Sequence, residues 1–239
     1  MRIWIAALML LTACVTPPEE SGRPLPVPYL HPTARLVLPE EIHGIRVARV
    51  AQSSGPLDVF AHYAAPGLAL TVYVYPASML PDPSLEAHFQ AAMAAVKYQW
   101  GVETAEHLVF PPVVDPRLPA LGALFEADRA PLPIGVVTVY KACSHIVKFR
   151  LSSARSMTHD QRMEILDFAL DAVLPRDYAF KALQSVGATS CVVDILNSAD
   201  PSRALADDCQ VVWKPESGAE GLKQALCDAL DAKVAAQSR

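Results

Sequence analysis

The chain has 239 residues, of which 52% are apolar and 19% charged, and its formal net charge is −5. That length carries one domain with an appendage, or two small domains, and the apolar content is enough for a real core. The mild acidity argues against a nucleic-acid binder, which needs a basic face, and against electrostatic adsorption to anionic lipid.

The chain opens MRIWIAALMLLTACVTPP. Arg2 supplies a positive start, and Ile3 to Leu11 form an apolar run. That run is too short to span a hydrocarbon core, which takes about 20 residues, so it reads as a signal peptide. Its end, Leu11-Thr12-Ala13-Cys14, resembles the lipobox of bacterial lipoproteins. The resemblance implies diacylglyceryl transfer to the Cys14 sulfur, cleavage after Ala13, and acylation of the new amino group, palmitate included. Each buried CH₂ stabilises such an anchor by about 0.8 kcal/mol, so several chains hold where one would not. Val15 follows the cysteine where inner-membrane lipoproteins tend to carry Asp. The resemblance therefore places the protein in the cell envelope, anchored at the outer membrane and facing the periplasm.

Val15 to Thr33 hold Pro17, Pro18, Pro24, Pro26, Pro28 and Pro32. Prolines at such intervals forbid regular hydrogen bonding and predict an extended linker, roughly 50–60 Å long at about 3.1 Å per residue. Strands are predicted next. IRVARVAQ (Ile45–Gln52) alternates as a half-buried strand does, and LDVFAHYA (Leu57–Ala64) follows the turn signal Gly55-Pro56. LALTVYVYP (Leu68–Pro76) is apolar on both faces and reads as a central strand. A helix starts near Asp82-Pro83, where Asp can cap it, and runs over about Ser84–Trp100, with Leu85, Phe89, Ala92 or Met93, and Val96 on one face.

His107–Phe110, Gly122–Asp128, Gly135–Ala142 and His145–Ser152 are further strands, the last two forming a hairpin at Cys143-Ser144. Thr158 and Gln161 form a capping box for a helix carrying Met163, Leu166, Leu170 and Val173, which Pro175 ends. The remainder, 176–239, reads as an appendage. It has a short helix (Tyr178–Val186), strands at Cys191–Leu196 and Gln210–Trp213, and a last helix capped by Ser217 and Glu220. The predicted organisation is a signal peptide (1–13), a lipidated linker (14–35), an α+β core with an antiparallel sheet and packed helices (36–175), and a cysteine-containing C-terminal α/β unit (176–239).

Val72-Tyr73-Val74-Tyr75-Pro76 and Val147-Lys148-Phe149-Arg150 resemble short strand motifs of the PsbP-like fold over residues 36–175. That resemblance implies an antiparallel sheet between helical layers, an α-β-α sandwich, and a non-catalytic role in binding or complex assembly.

With Cys14 lipidated, Cys143, Cys191, Cys209 and Cys227 remain. An even remainder in an oxidising compartment points to disulfides, with three possible pairings between which the sequence does not choose. Cys143 and His145 lie two apart, the spacing of a same-side nucleophile pair, but no third group orients them. His62 converges with His107 or His145 as zinc ligands only if their strands are neighbours. Glu40-Glu41 and Asp207-Asp208 read as solvated turns. Lys148 and Arg150 share one face of their strand and read as outward charges, with a basic edge as the alternative. Tyr63, Tyr73, Tyr75, Tyr140 and Phe149 read as core, or as the lining of an apolar cleft if one sheet face is bare.

No catalytic residue, cofactor or metal ligand is assigned. The expected function is a non-enzymatic envelope lipoprotein that binds or helps assemble a protein partner. The alternatives are a periplasmic carrier or sensor of a small apolar or lipid-like ligand, and a hydrolase without a recognisable motif. The expected partners are the membrane, through Cys14, and an envelope protein, with no nucleic acid.

Overall fold

The computed structural model describes residues 22–53, 55, 57–102, 105–108, 120–127, 130–174, 192–195, 210–213 and 218–237. An eight-stranded, wholly antiparallel sheet dominates it. In chain order its strands are β3 (Glu41–Ile42), β4 (Ile45–Gln52), β5 (Val59–Ala65), β6 (Leu68–Pro76), β7 (Ala105–Leu108), β8 (Ala120–Glu126), β9 (Ile134–Ala142) and β10 (His145–Ser153). Before them come β1 (Tyr29–Leu30) and β2 (Val37–Leu38), paired as a separate ribbon. The spatial order β3-β4-β5-β6-β10-β9-β8-β7 joins two meanders through β6 and β10, which pair along their full length from His145↔Pro76 to Ser153↔Leu68. Both central strands are buried along nearly their whole length, β6 through a continuous apolar and aromatic run and β10 despite Lys148 and Arg150.

Helices cover both faces. Leu70, Val72, Val74, Val147, Phe149 and Leu151 point to a face closed by α2 (His159–Val173), through Ile165, Leu166, Ala169 and Leu170. Tyr73, Tyr75, Phe60, Val137 and Val139 point to the other face, closed by α1 (Leu85–Trp100) through Phe89, Met93 and Val96. This explains why β6 is apolar in both registers. It also closes both sides against the bare-face cleft that the aromatics allowed: Tyr63 and Phe149 are wholly buried on one side, and Tyr73 and Tyr75 lie under α1 on the other.

The helix ends follow local chemistry. Ser84, not Asp82, caps α1, accepting from the Ala87 amide at 3.2 Å. Asp82 supports it by accepting from the Ser84 amide at 2.9 Å. Gly101, at φ 64°, ends the helix in the left-handed region. The Thr158–Gln161 capping box opens α2 as expected.

Both chain ends differ from the expected outline. The extended linker expected over 14–35 is, from Gly22 onward, folded onto the body. Leu25 donates its amide to Val50 at 3.0 Å, Gln52 donates to Arg23 at 3.1 Å, and Pro24 bridges Ala51. The prolines forbid a long regular element, but proline is tolerated on a sheet edge. Between them Ala34 is buried, and Leu25 and Tyr29 pack on the core. The C-terminal segment is not a free unit either. In α3 (Gly218–Gln237), Cys227 and Leu230 are buried against the sheet's α2 face. β11 (Val192–Ile195) and β12 (Gln210–Trp213) pair in parallel, in the two segments where short strands were predicted. Cys14, Cys191, Cys209, Asp207-Asp208, the Tyr178–Val186 helix and the Ser217 cap lie outside the described residues. No helix among the described residues is long and apolar enough to cross a membrane.

Gly135 on β9 faces Phe125 across the β8 register. A Cβ there would lie 2.2–2.9 Å from three atoms of the Phe125 ring, itself buried under α1. Gly135→Ala is expected to destabilise by about 1–3 kcal/mol, since overpacking outweighs the smaller entropic gain of removing a strand glycine. Urea unfolding tests this, and unchanged stability would show that the ring has room to turn.

Candidate functional site

Among the described residues, two sites that combine a cavity with buried polar groups stand out. The first is a groove of about 620 Å³ at one end of the sheet, where the β9–β10 hairpin meets the β1–β2 loop and α3. The hairpin connection is the two residues Cys143-Ser144, because β9 and β10 pair up to Ala142↔His145. Cys143 takes φ 54° there, a conformation uncommon for a side-chain-bearing residue. It is held by a disulfide to Cys227 on α3.

Around this bridge runs a directed hydrogen-bond chain. Ser144 donates its hydroxyl to Asp231 Oδ1 on α3 at 2.8 Å. Its oxygen then accepts from His145 Nδ1 at 3.1 Å. With Nδ1 carrying the proton, His145 Nε2 accepts from the Thr33 hydroxyl at 2.8 Å. His31 lies next to it, ring centroids 5.2 Å apart. Its Nε2 donates to the Leu57 carbonyl at 3.2 Å, and its Nδ1 accepts from the Ala34 amide at 3.0 Å. Both imidazoles are therefore neutral and fully committed. Burial, and then the proximity of His31, push the His145 pKa down to about 3. Burial likewise raises the Asp231 carboxyl above its ordinary value.

Serine, histidine and aspartate thus meet, but in the wrong order for an acyl-transfer triad. A serine nucleophile needs the imidazole to take its proton and the carboxylate to orient the imidazole. Here the serine proton already points at the carboxylate, and the histidine donates to the serine. A base with a pKa near 3 has little proton affinity near neutrality. The arrangement fastens four segments (the β1–β2 loop, the hairpin, the start of β10 and α3) to one another.

The second site lies on the opposite face, under the end of α1. Lys148 and Arg150 do not point outward as expected; they are 3% and 8% exposed. β10 is central and covered on both faces, so alternation along it separates two buried sides. Aromatic rings accommodate the charges. Lys148 Nζ lies 4.0 Å from the Tyr73 ring centroid, and the Arg150 guanidinium lies 3.7 Å from that of Trp100. Arg150 also donates to Gln99 Oε1 at 3.4 Å. Beside it a pocket of about 220 Å³ opens between β6, β10, the last turn of α1 and the segment Ala130–Leu132. His62 closes one side, hydrogen-bonded to the Thr71 hydroxyl at 3.0 Å. Burial and then Arg150 lower its pKa.

Of the residues singled out by sequence, Cys143 is in a disulfide and is no nucleophile, so its pairing with His145 carries no catalysis. His62 and His145 sit at different sites, each on its own hydroxyl partners. No group of three or more His, Cys, Asp or Glu among the described residues is placed to hold a metal. Glu41 is exposed and pairs with Arg46 at 3.6 Å. Sequence reasoning missed Thr33, Ser144 and Asp231. Thr33 and His145 are separated by 112 residues and Ser144 and Asp231 by 87, so no local motif marks them. No family model matches the chain, and no curated protein or solved structure matches it.

Proposed function

We propose that the chain is a non-enzymatic lipoprotein of the cell envelope, acylated at Cys14 and held at the outer membrane, whose folded body binds or helps assemble a protein partner there. We read its finer architecture as a PsbP-like α-β-α sandwich, in keeping with helices on both faces of the sheet. The observation that carries the binding reading is the β1–β2 ribbon. Leu30 and Val37 are directly opposed across it and are each 43% exposed. Val27, just before the ribbon, is 39% exposed. Their neighbours Tyr29 and Leu38 face the core instead. A cross-strand apolar pair left in water contributes little to folding and is the kind of surface that a partner covers. The commitment of every polar group in the Ser144 chain speaks against a hydrolase. Packing of the sheet aromatics into the two cores speaks against a lipid carrier.

The experiment is photocrosslinking in intact cells from a benzoyl-phenylalanine at Leu30 or Val37, with Lys97 on the far face as control. Leu30 and Val37 are expected to give a discrete protein adduct that Lys97 does not. Leu30→Ser/Val37→Ser should keep stability within about 0.5 kcal/mol while abolishing co-purification of the captured protein. A Cys14→Ser arm should release the protein from membranes and lose the adduct. Adducts to lipid alone, or equal labelling from Lys97, would contradict the reading.

A further inference from the structure

The C-terminal helix touches the body lightly. Among the described residues, α3 packs more extensively on β12 than on any strand of the eight-stranded sheet. It meets the sheet with one face, on which Cys227 and Leu230 are buried. Two links fix that face to the β9–β10 turn: the Cys143–Cys227 disulfide and the hydrogen bond from Ser144 to Asp231. Beside them the packing stops. The groove of about 620 Å³ is lined on one side by Asp231, Val234 and Ala235 of α3, and on the other by Pro76 and Lys141 at the sheet end. A contact left open along one side forfeits the dispersion energy that a close-packed helix gains.

The hydrogen bond adds little to this contact. Burial disfavours the charged form of the Asp231 carboxyl, the Ser144 hydroxyl offsets part of that, and Asp228 adds to it. Docked, the carboxylate exchanges water for one hydroxyl; undocked, it regains the water. The covalent bond is therefore the main tie, because it keeps the α3 face at the turn at high effective concentration. That bond is also open to attack from one side. Cys143 lines the groove and Cys227 does not. Lys141 lines the same groove, is exposed, and attracts an incoming thiolate.

We propose that the Cys143–Cys227 disulfide is a redox latch, opened from the groove by a dithiol, whose reduction releases α3 from the β9–β10 turn and leaves the eight-stranded sheet folded. The latch stands apart from partner binding at the ribbon and does not require it. One thiolate of the dithiol attacks Cys143 Sγ, and the S–S bonding pair passes to Cys227 Sγ, which takes up a proton. The second thiol, as its thiolate, then attacks the mixed disulfide and expels Cys143 Sγ, which is protonated in turn. The cystine gains two electrons and two protons, and the dithiol loses them as it closes to its own disulfide. Release takes Asp231 away from Ser144 and Leu230 out of the core.

Hydroxyl-radical footprinting of the full chain tests this, before and after treatment with dithiothreitol and its removal by desalting. Leu230 is 1% exposed, and Leu70 and Leu151 are wholly buried in the sheet. On reduction the labelling of Leu230 is expected to rise at least about tenfold while that of Leu70 and Leu151 stays unchanged, the pattern of a local opening. Re-oxidation with diamide should restore the protection. Cys143→Ser/Cys227→Ser should show the open pattern before any reductant is added, which ties the effect to this bond. Leu230 still protected in the reduced chain or in the double variant would mean that packing alone holds α3. Leu70 and Leu151 labelled together with Leu230 would make the bridge a staple of the whole fold. A disulfide that dithiothreitol cuts only under denaturing conditions would show that the groove gives no access. Each of these results would overturn the proposal.

Discussion

Removing the Cys143–Cys227 bridge is expected to cost about 4–5 kcal/mol of stability, the largest single loss this structure implies. The two residues are 84 apart in sequence, so the bridge closes a long loop in the unfolded chain, and a loop of that length carries a chain-entropy term of this size. For a domain of this length the loss corresponds to roughly 10–15 °C in melting temperature. The effect reaches beyond entropy, because Cys227 is itself among the α3 residues buried against the sheet, with Leu230 and, partly, Ala225, Leu226, Ala229 and Val234. Guanidinium unfolding of Cys143→Ala/Cys227→Ala against wild type, with and without a phosphine reductant, measures it. Wild type should fall to the level of the variant on reduction. A change under about 1 kcal/mol would mean that α3 is held by packing alone.

Mild acid is expected to destabilise the protein through the same end of the sheet. His145 is buried and neutral, with a pKa pushed down to about 3 from its ordinary 6.5. The unfolded chain therefore binds a proton below about pH 6.5 that the folded chain refuses, and stability must fall with pH from there toward about 3. Between about pH 7 and pH 5 this single group accounts for a loss of about 2 kcal/mol. Burial also lowers His31, His62 and His88, and these act in the same direction. Burial raises Asp167 and Asp231, so they act in the opposite direction. Urea unfolding at about pH 7 and pH 5 checks the sign and size, and His145→Gln should remove its share of the slope, about 2 kcal/mol. A protein equally stable at both values would show that His145 takes up its proton in the folded state, and the neutral hydrogen-bond chain from Thr33 to Asp231 would be wrong.

What was legible in the sequence is what local chemistry controls. β4, β6, α2 and the Cys143-Ser144 hairpin follow from alternation, continuous apolar runs, a capping box and a two-residue connection. Lys148 and Arg150 were misread for a physical reason. Alternating charge along a strand signals a wet face only when one face is wet, and here the rings of Tyr73 and Trp100 stand in for water. Residues 22–35 were misread because proline frequency reports the absence of regular structure, not the absence of packing. Of the site at the hairpin only Cys143 and His145 were legible, since Thr33, Ser144 and Asp231 join them only through long-range closure by the ribbon loop and α3.

An oxidised clamp ties the C-terminal helix to the β9–β10 hairpin. Peptide mapping of the native protein, purified from cells under alkylating, non-reducing conditions, tests it most directly. A cross-linked pair of peptides containing Cys143 and Cys227 is expected in nearly every molecule. Recovery of both as alkylated free thiols, or of either joined to Cys191 or Cys209, would contradict it.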